Sequence, residues 1–281
     1  MLSDKLKRYR IKPEGVDWIP TGFDVVDAAT GGGFPRGRIV EVFGPESSGK
    51  TTLLQKVIAS AQSMNLECAY VDVEHALDLD HARHLGMDTD AAPILQPETA
   101  EEALEIVEEA CTGGAGVVVV DSVAGMVTQA ELEGSKAQAP IARLMSDQIR
   151  KIVQKAKQNN TCVVFINQLR RKTGVIFGSP EYTCGGEAIK YFASLRLDVR
   201  KAAWLKHVNK VVGFKSRVRA VKNKLSPPYR EAYFCVTFDH ESPDIGKLEN
   251  LVLSGKAENL GGGYYKYEGK KFKASQMEKI E

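Results

Sequence analysis

Hydrophobic positions along the chain alternate between short continuous runs and longer segments with helical spacing. Four apolar runs predict buried strands, at residues 38–43, 68–73, 117–121 and 162–167. Helical spacing of apolar residues predicts helices at residues 51–65, 100–111 and 141–158. Later strands are predicted at residues 194–199, 217–221 and 232–238. Because the run VVVVD at 117–121 is typical of a strand buried on both faces, the pattern predicts an α/β fold, a doubly wound and mostly parallel sheet with an antiparallel extension.

The two ends of the chain differ from this core. Residues 1–20 are basic and too short for a domain, so we expect an arm or a single helix. Residues 21–245 form the predicted core. Residues 246–281, with three consecutive glycines and a lysine-rich end, are interpreted as a small C-terminal extension rather than an independent domain.

Composition places the chain among ordinary globular proteins. Of its 281 residues, 43% are hydrophobic and 26% are charged, which excludes collagen-like and wholly disordered classes. The first ten residues, MLSDKLKRYR, lack an apolar region and no run of 18 apolar residues occurs, so neither a secretory signal nor a membrane span is expected. The five widely spaced cysteines form no CxxC motif, which favours reduced thiols in a cytoplasm.

Charge is unevenly distributed, although the formal net charge is only +2. Residues 67–133 contain 16 Asp or Glu and one basic residue, whereas residues 143–230 contain 20 Lys or Arg and four acids. This asymmetry predicts a surface that faces a polyanion, or an acidic face that meets the basic face of a neighbouring copy. The alternative is a solvated surface on which the two sets of charges interleave.

An eight-residue segment between a predicted strand and a predicted helix matches the phosphate-binding pattern GxxxxGK[ST]. Its residues are Gly44, Pro45, Glu46, Ser47, Ser48, Gly49, Lys50 and Thr51. Glycines here let the backbone turn tightly and aim N–H groups at phosphate oxygens, and the dipole of the following helix attracts the anion. Lys50 is expected to reach the β- and γ-phosphates and the Thr51 hydroxyl to hold magnesium. The sequence therefore predicts a site for a nucleoside triphosphate and Mg²⁺.

Acidic residues follow two of the predicted strands. Asp121 ends the VVVVD run and is expected to act on the metal side of the site, beside Ser122. Asp72 and Glu74, at the end of the 68–73 run, are both candidates for positioning or deprotonating the attacking water. Strand alternation places both side chains on the same side, so spacing does not decide between them.

Several segments resemble the RecA-type bacterial recombinases, in the same order along the chain. They are GPESSGKTT at 44–52, VDVEHALD at 71–78, VVVVDSVA at 117–124, FINQLR at 165–170, GVIFGSPEYTCGGEAIKYFAS at 174–194 and VKNKLSPPY at 221–229. The resemblance implies a RecA-type P-loop ATPase core. It further implies an ATP-dependent recombinase that forms a helical filament on single-stranded DNA and exchanges strands with a homologous duplex.

The resemblance also implies roles for individual residues around ATP. Glu74 is similar to the glutamate that activates water, and Gln168 to the glutamine that senses the γ-phosphate and relays its presence to a DNA loop. Lys222 and Lys224 resemble the pair that reaches the ATP of a neighbouring subunit, where extra cations stabilise transferred phosphoryl charge. Without the resemblance, the VKNK segment is interpreted as a solvated charge run.

Further nucleotide contacts are implied by the same resemblance. The phosphate-binding segment extends to Thr52. Asp78 and Phe238 fall where the family contacts adenine. His81 takes a stacking position that is usually tyrosine.

Two loops, near residues 131–140 and 170–189, are implied to contact DNA. The second is basic and glycine-containing, with Arg170, Arg171, Lys172, Gly185 and Gly186 as its candidate contacts. Arg143, Ser146 and Arg150 share one face of the helix after the first loop, which suits phosphate contacts. By the same resemblance, we expect a first loop about three residues shorter than in the family, a shortened subunit-contact arm at residues 1–20 and a truncated C-terminal extension at residues 246–281.

Three functions remain open from the sequence. The first is a DNA-dependent ATPase that forms filaments and exchanges strands, favoured by the complete set Lys50, Thr51, Glu74, Asp121 and Gln168. The second is a regulatory module that binds ATP and DNA without productive strand exchange, favoured by the altered first loop and the short arm. The third, a hexameric helicase motor, is disfavoured because EHALD, the basic GG loop and VKNK match recombinases.

Overall fold

The computed structural model describes residues 15–135, 139–171, 180–207, 210–238, 243–262 and 264–273. The strands are β1 (Trp18–Ile19), β2 (Phe34–Pro35), β3 (Ile39–Gly44), β4 (Cys68–Asp72), β5 (Ile94–Leu95), β6 (Val117–Asp121), β7 (Cys162–Arg171), β8 (Glu181–Thr183), β9 (Leu195–His207), β10 (Lys210–Asn223), β11 (Glu231–Thr237), β12 (Ala257–Gly261), β13 (Tyr264–Tyr267) and β14 (Lys270–Lys273). The α-helices are α1 (Asp24–Thr30), α2 (Lys50–Ser63), α3 (Leu79–His84), α4 (Ala100–Thr112), α5 (Gln129–Leu132), α6 (Pro140–Gln158), α7 (Ala188–Phe192) and α8 (Pro243–Leu253).

One large sheet organises the core, with the strand order β11-β10-β9-β3-β7-β6-β4-β5. The strands from β9 to β5 in this order pair in parallel, and β10 and β11 continue the sheet antiparallel. The predicted α/β fold with an antiparallel extension is therefore confirmed. The strands predicted at 194–199 and 217–221 are longer in the structure, because β9 and β10 pair along most of their length, and residues 201–204 of β9 are exposed, so the strand continues beyond its buried part.

The sheet is covered on both faces, which explains its continuous apolar strands. Val117 and Val119 of β6 pack into a core that includes Leu53 and Val57 of α2. Val118 and Val120 point to the opposite face, into a second core that includes residues of α4 and α6. Successive side chains of a strand alternate between faces, so VVVVD fills both cores at once.

The strand order places most strands of the two charge blocks towards opposite ends of the sheet. The acidic block, residues 67–133, contains β4, β5 and β6, which are neighbours at one end of the sheet. The basic block, residues 143–230, contains β9 and β10, which lie towards the other end, with β7 adjoining β6. The helices do not share this separation, because the acidic α4 packs against the basic α6, so the interleaved alternative stays open.

The ends of the described chain are attached to the core. β1 pairs antiparallel with β2, so residues 18–19 of the predicted 1–20 arm join the core, whereas residues 1–14 lie outside the described residues. The predicted boundary at 245/246 falls inside α8, whose Asn250 side chain bonds both the N–H and the carbonyl of Cys235 in β11. No helix within the described ranges has the length and apolar character required to cross a membrane.

Candidate nucleotide site and adjoining basic surface

The phosphate-binding segment joins the carboxyl end of β3 to the first turn of α2. Gly44 lies so close to β9 that an added Cβ would be 2.0 Å from the Val199 carbonyl oxygen, so a side chain does not fit there. Gly49 has a φ of +91°, which favours glycine. The Ser216 hydroxyl of β10 donates to the Ser48 carbonyl at 2.6 Å and fixes the loop to the sheet. The backbone is thus held as a tight turn at a helix start.

Lys50 spans this turn from within the protein. Its ammonium group donates to the carbonyl oxygens of Gly44 at 3.2 Å and Pro45 at 2.7 Å, and the residue is only 8% exposed. Burial lowers the pKa of Lys50, while the carboxylates of Asp121, Glu74 and Glu46 act in the opposite direction. A cation bonded only to carbonyls at the loop is suited to exchange one of them for a phosphate oxygen.

Thr51 and Asp121 are brought together, as the sequence predicts for metal ligands. The Thr51 hydroxyl donates to Asp121 Oδ2 at 2.9 Å, and the Tyr70 hydroxyl donates to the same oxygen at 2.6 Å. Burial raises the pKa of Asp121, and these two hydrogen bonds oppose the increase. Hydroxyl and carboxylate oxygens are the ligands that Mg²⁺ prefers, so this pair fits the metal. Sequence reasoning missed Tyr70, whose only signal is a polar atom in an otherwise apolar strand.

Glu74 lies in the turn after β4, with an exposed carboxylate held from two sides. Gln168 Nε2 donates to Glu74 Oε1 at 3.0 Å, and the Ser122 hydroxyl donates to the same oxygen. Gly125 packs against the Glu74 side chain, where an added Cβ would lie 3.1 Å from Cγ. The predicted water-activating and phosphate-sensing residues are therefore direct neighbours.

Asp72 has a different environment from Glu74. It is almost fully buried, and its two carboxylate oxygens accept bonds from the backbone N–H groups of Ala76 and Leu77, each at 3.2 Å, and from Gln96 Nε2 at 3.0 Å. These bonds close the turn that presents Glu74. The geometry favours Asp72 as the residue that shapes the turn and Glu74 as the one open to a water molecule.

A cavity of about 350 Å³ extends from the phosphate-binding turn to the residues expected to hold adenine. Asp78, His81 and Phe238 line it together with Thr52. Asp78 caps α3 by accepting a bond from the His81 N–H at 2.9 Å. Phe238 is 54% exposed, and its ring centroid lies 5.8 Å from that of Phe214, which sequence reasoning missed.

The base of the second loop is fixed to the strand that carries Gln168. Asn167 accepts a bond from the Cys184 N–H at 3.1 Å and donates to the Cys184 carbonyl at 2.9 Å. Gly185 and Gly186 follow with φ of +78° and +77°, and an added Cβ on Gly186 would lie 2.9 Å from the Ala142 Cβ of α6. The structure thus gives these glycines a packing role, beside the predicted approach to phosphates.

This packing places the second loop beside the helix that follows the first. Arg143, Ser146 and Arg150 are all exposed on α6, on the face predicted from their spacing. Arg170 and Arg171 are exposed at the end of β7, and Arg171 also pairs with Glu181 at 3.5 Å. Lys172, predicted in the same loop, lies outside the described residues, as do residues 136–138 of the first loop and residues 173–179 of the second.

Comparisons with known proteins match this arrangement. Residues 6–241 match the family described as the RecA N-terminal domain. The chain belongs to the RecA family. Protein RecA from Syntrophus aciditrophicus is 46% identical over 263 residues, which cover 92% of this chain and 77% of that protein. Protein RecA from Geobacter metallireducens is 47% identical over 257 residues, which cover 90% of this chain and 76% of that protein. The family resemblance in the sequence is confirmed.

A solved structure agrees on the fold. The crystal structure of the RadB recombinase matches with a TM-score of 0.60 and covers 78% of this chain and 96% of that chain. At 21% sequence identity, this likeness supports the fold alone.

In this RecA-family chain, Lys222 lies on β10 and Lys224 just after its end, and both approach the C-terminal end of α7. The Lys222 ammonium donates to the carbonyl oxygens of Lys190 at 2.5 Å and Tyr191 at 2.9 Å, and Lys224 Nζ lies 3.5 Å from the Tyr191 oxygen. Burial, followed by the charges of Lys224 and Arg196, lowers the pKa of Lys222 to about 8. Both side chains contact α7 and not the phosphate-binding turn of their own subunit, and their role towards a neighbour stays a prediction.

Proposed function

We propose that this RecA-family protein is a DNA-dependent ATPase that forms a helical filament on single-stranded DNA and drives homologous pairing and strand exchange. The observation that carries the proposal is the contact between Glu74 and Gln168, because it joins the ATP site to the second loop. Gln168 is directly followed along β7 by residues that lead into that loop, and its neighbour Asn167 holds the loop's other end at Cys184.

ATP is the proposed substrate. Lys50 would exchange its carbonyl partners for β- and γ-phosphate oxygens, and the backbone N–H groups of the turn would hold the phosphates. Thr51 and Asp121 would hold Mg²⁺, which neutralises charge on the phosphates when it is bound. Asp78, His81 and Phe238 would hold the base, with the His81 and Phe238 rings offering stacking surfaces.

Glu74 is the proposed base for hydrolysis. Its carboxylate would accept a proton from a water molecule as the water oxygen bonds to the γ-phosphorus and the bond to the ADP oxygen breaks. The hydrogen bond from Gln168 Nε2 to Glu74 Oε1 holds the carboxylate in one orientation. A Gln168 that turns towards the γ-phosphate would release Glu74 and, through β7, move the second loop.

The basic surface is the proposed DNA-binding surface. Arg143, Arg150 and Arg170 are exposed cations on adjoining elements, and positive side chains bind phosphate backbones independently of sequence. Lys222 and Lys224 would act on the ATP of the next subunit, so hydrolysis would depend on assembly. We place this activity in the cytoplasm of a bacterium or of a phage-infected cell, where both DNA and ATP are available.

The first experiment measures ATP hydrolysis with and without single-stranded DNA, with light scattering recorded in the same cuvette. DNA-stimulated turnover that rises together with scattering supports the recombinase and leads to a strand-exchange assay with a homologous duplex. ATP binding without stimulated turnover contradicts the proposal and favours the regulatory module.

A further inference from the structure

A row of charged side chains crosses the sheet beneath α7. Glu41 of β3 is paired in register with Arg196 of β9, and Arg196 is paired with Lys222 of β10. Residues in direct register on adjacent strands present their side chains to the same face of a sheet. The row therefore runs from the central parallel strand that leads into the phosphate-binding turn to the lysine proposed to act on the neighbouring subunit.

Within this row, the Glu41 carboxylate is held in place by hydrogen bonds to both of its oxygens. It is fully buried, and both of its carboxylate oxygens have partners. Arg196 Nε donates to Oε2 at 2.5 Å, and Asn167 Nδ2 donates to Oε1 at 3.0 Å. A buried carboxylate is tolerated only when it is paired and hydrogen-bonded, so a shift of either partner leaves one carboxylate oxygen without its hydrogen bond.

Each partner of Glu41 also holds part of the proposed machinery. Asn167 binds both backbone groups of Cys184 and precedes Gln168 in β7. Arg196 lies beside Lys222 and contributes to the low pKa of that ammonium group. Lys222 in turn is bonded to the carbonyl end of α7, the helix that begins just after the glycine pair. The loop base, the phosphate sensor and the lysine thus meet at one carboxylate.

We propose that Glu41 is a positioning residue that couples Gln168 and the base of the second loop to the placement of Lys222 towards the neighbouring subunit. This inference rests on the proposed function, because it assigns Lys222 to the ATP of another copy. A shift of Asn167 when the loop binds DNA changes the hydrogen bond to Glu41. The Glu41 carboxylate then changes its position relative to its other partner, Arg196, whose side chain lies next to Lys222. ATP bound in one subunit would in this way influence hydrolysis in the next.

Glu41→Gln tests the proposal. The substituted amide keeps the size of the side chain and an oxygen for Asn167, but it removes the charge that pairs with Arg196. We expect the DNA-stimulated kcat to fall about five-fold or more, the lower end of typical coupling between sites. ATP binding without DNA should be unchanged, because Lys50, Thr51 and Asp121 keep their contacts. Glu231→Gln, which removes a partly exposed ion pair with Arg219 on the same sheet, is the matched control.

Mixing experiments locate the defect. Glu74→Gln subunits are expected to assemble and to offer a native Lys222 without hydrolysing ATP themselves. Added in excess, they should restore turnover per Glu41→Gln site towards the parental value, because each such site then faces a native neighbour. Parental turnover by Glu41→Gln alone, or a defect that excess Glu74→Gln subunits leave unchanged, would overturn the coupling.

Two further measurements keep the test independent of folding and of the proposed function. If Glu41→Gln does not fold, Arg196→Lys retains a cation but loses the branched guanidinium, and the same mixing outcomes apply. If the parent shows no DNA stimulation, the proposed function fails. The influence of Glu41 on Lys222 can then still be tested by acetylation of Lys222 in the unassembled protein, measured by peptide mass spectrometry.

The acetylation rate depends on the charged groups around Lys222. These are Arg196, Lys224, Lys190 of α7 and the carboxylate of Glu41, which favours the charged ammonium. Loss of the Glu41 charge should leave more neutral amine, so at pH 7 Lys222 should react faster in Glu41→Gln than in the parent or Glu231→Gln. Equal rates would overturn the inference.

Discussion

Substitution of Asp72 and Glu74 should separate stability from turnover, although the two residues are only two positions apart. Asp72→Asn replaces one acceptor oxygen by an NH₂ group. Gln96 can reverse its amide to accept a bond from this group, but Ala76 N–H and Leu77 N–H are both donors and contact different oxygens of Asp72. In either orientation of the new amide, one backbone N–H therefore loses its acceptor.

The size of the effect follows from that lost bond. A donor left without a partner costs about 2 kcal/mol of the free energy of unfolding, which lowers Tm by roughly 3–4 °C in a protein of this size. Glu74→Gln should leave Tm unchanged, because Glu74 is exposed and the substituted amide keeps an oxygen for Gln168. Its ATP turnover should fall about 100-fold or more, since a positioned general base contributes at least that factor.

Thermal unfolding of the unassembled proteins and DNA-stimulated ATP hydrolysis measure the two effects separately. Asp72→Asn should show a lower Tm and a modest loss of turnover that is recovered at low temperature. The assignment of the two carboxylates would be refuted by the reverse pattern, in which Asp72→Asn abolishes turnover at an unchanged Tm and Glu74→Gln turns over ATP at the parental rate.

Three other substitutions test other parts of the site. Lys222→Arg should remove a decline in ATP-dependent assembly as pH rises above about 8, because the pKa of Lys222 lies near that value in the unassembled subunit and its amine must then take up a proton before it binds a neighbour's phosphates; identical pH profiles of light scattering in parent and variant contradict this. Gly186→Ala should weaken DNA binding through the clash with Ala142, whereas Gly114→Ala, with the same positive φ and open space, should not, as read by fluorescence anisotropy of labelled DNA. Thr51→Val should raise the Mg²⁺ concentration needed for half-maximal hydrolysis, since the hydroxyl that contacts Asp121 is lost; an unchanged Mg²⁺ titration argues against Thr51 as a ligand.

The sequence predicts the parts of the fold and site that depend on local pattern. The VVVVD strand, the phosphate-binding turn and the face of α6 with Arg143 all follow from spacing along one element. The sequence also predicts the functional glycines, but it does not predict which residues they contact. Gly186 packs against Ala142 because of where α6 lies in space.

What the sequence does not predict are contacts between distant strands. Tyr70 bonds to Asp121 and Phe214 lies beside Phe238 only because particular strands meet at one edge of the sheet. Glu41 is a charged residue among the apolar residues of β3, and the sequence alone gives no reason for a charge in a buried strand. Its partners, Arg196 and Asn167, are more than a hundred residues away, so their relation to Glu41 requires the strand order.

The position of the two lysines along the chain explains why we propose that they act on another copy. Ser216 and Phe214 of β10 lie at the nucleotide site, whereas Lys222 lies six residues farther along the same strand and Lys224 follows its end. Both lysines contact carbonyl oxygens of α7. If they act on ATP as proposed, a second copy would present them to the ATP site of the first. Such a contact uses different surfaces on the two partners, and it continues as an open helix wherever the rotation between copies does not close into a ring.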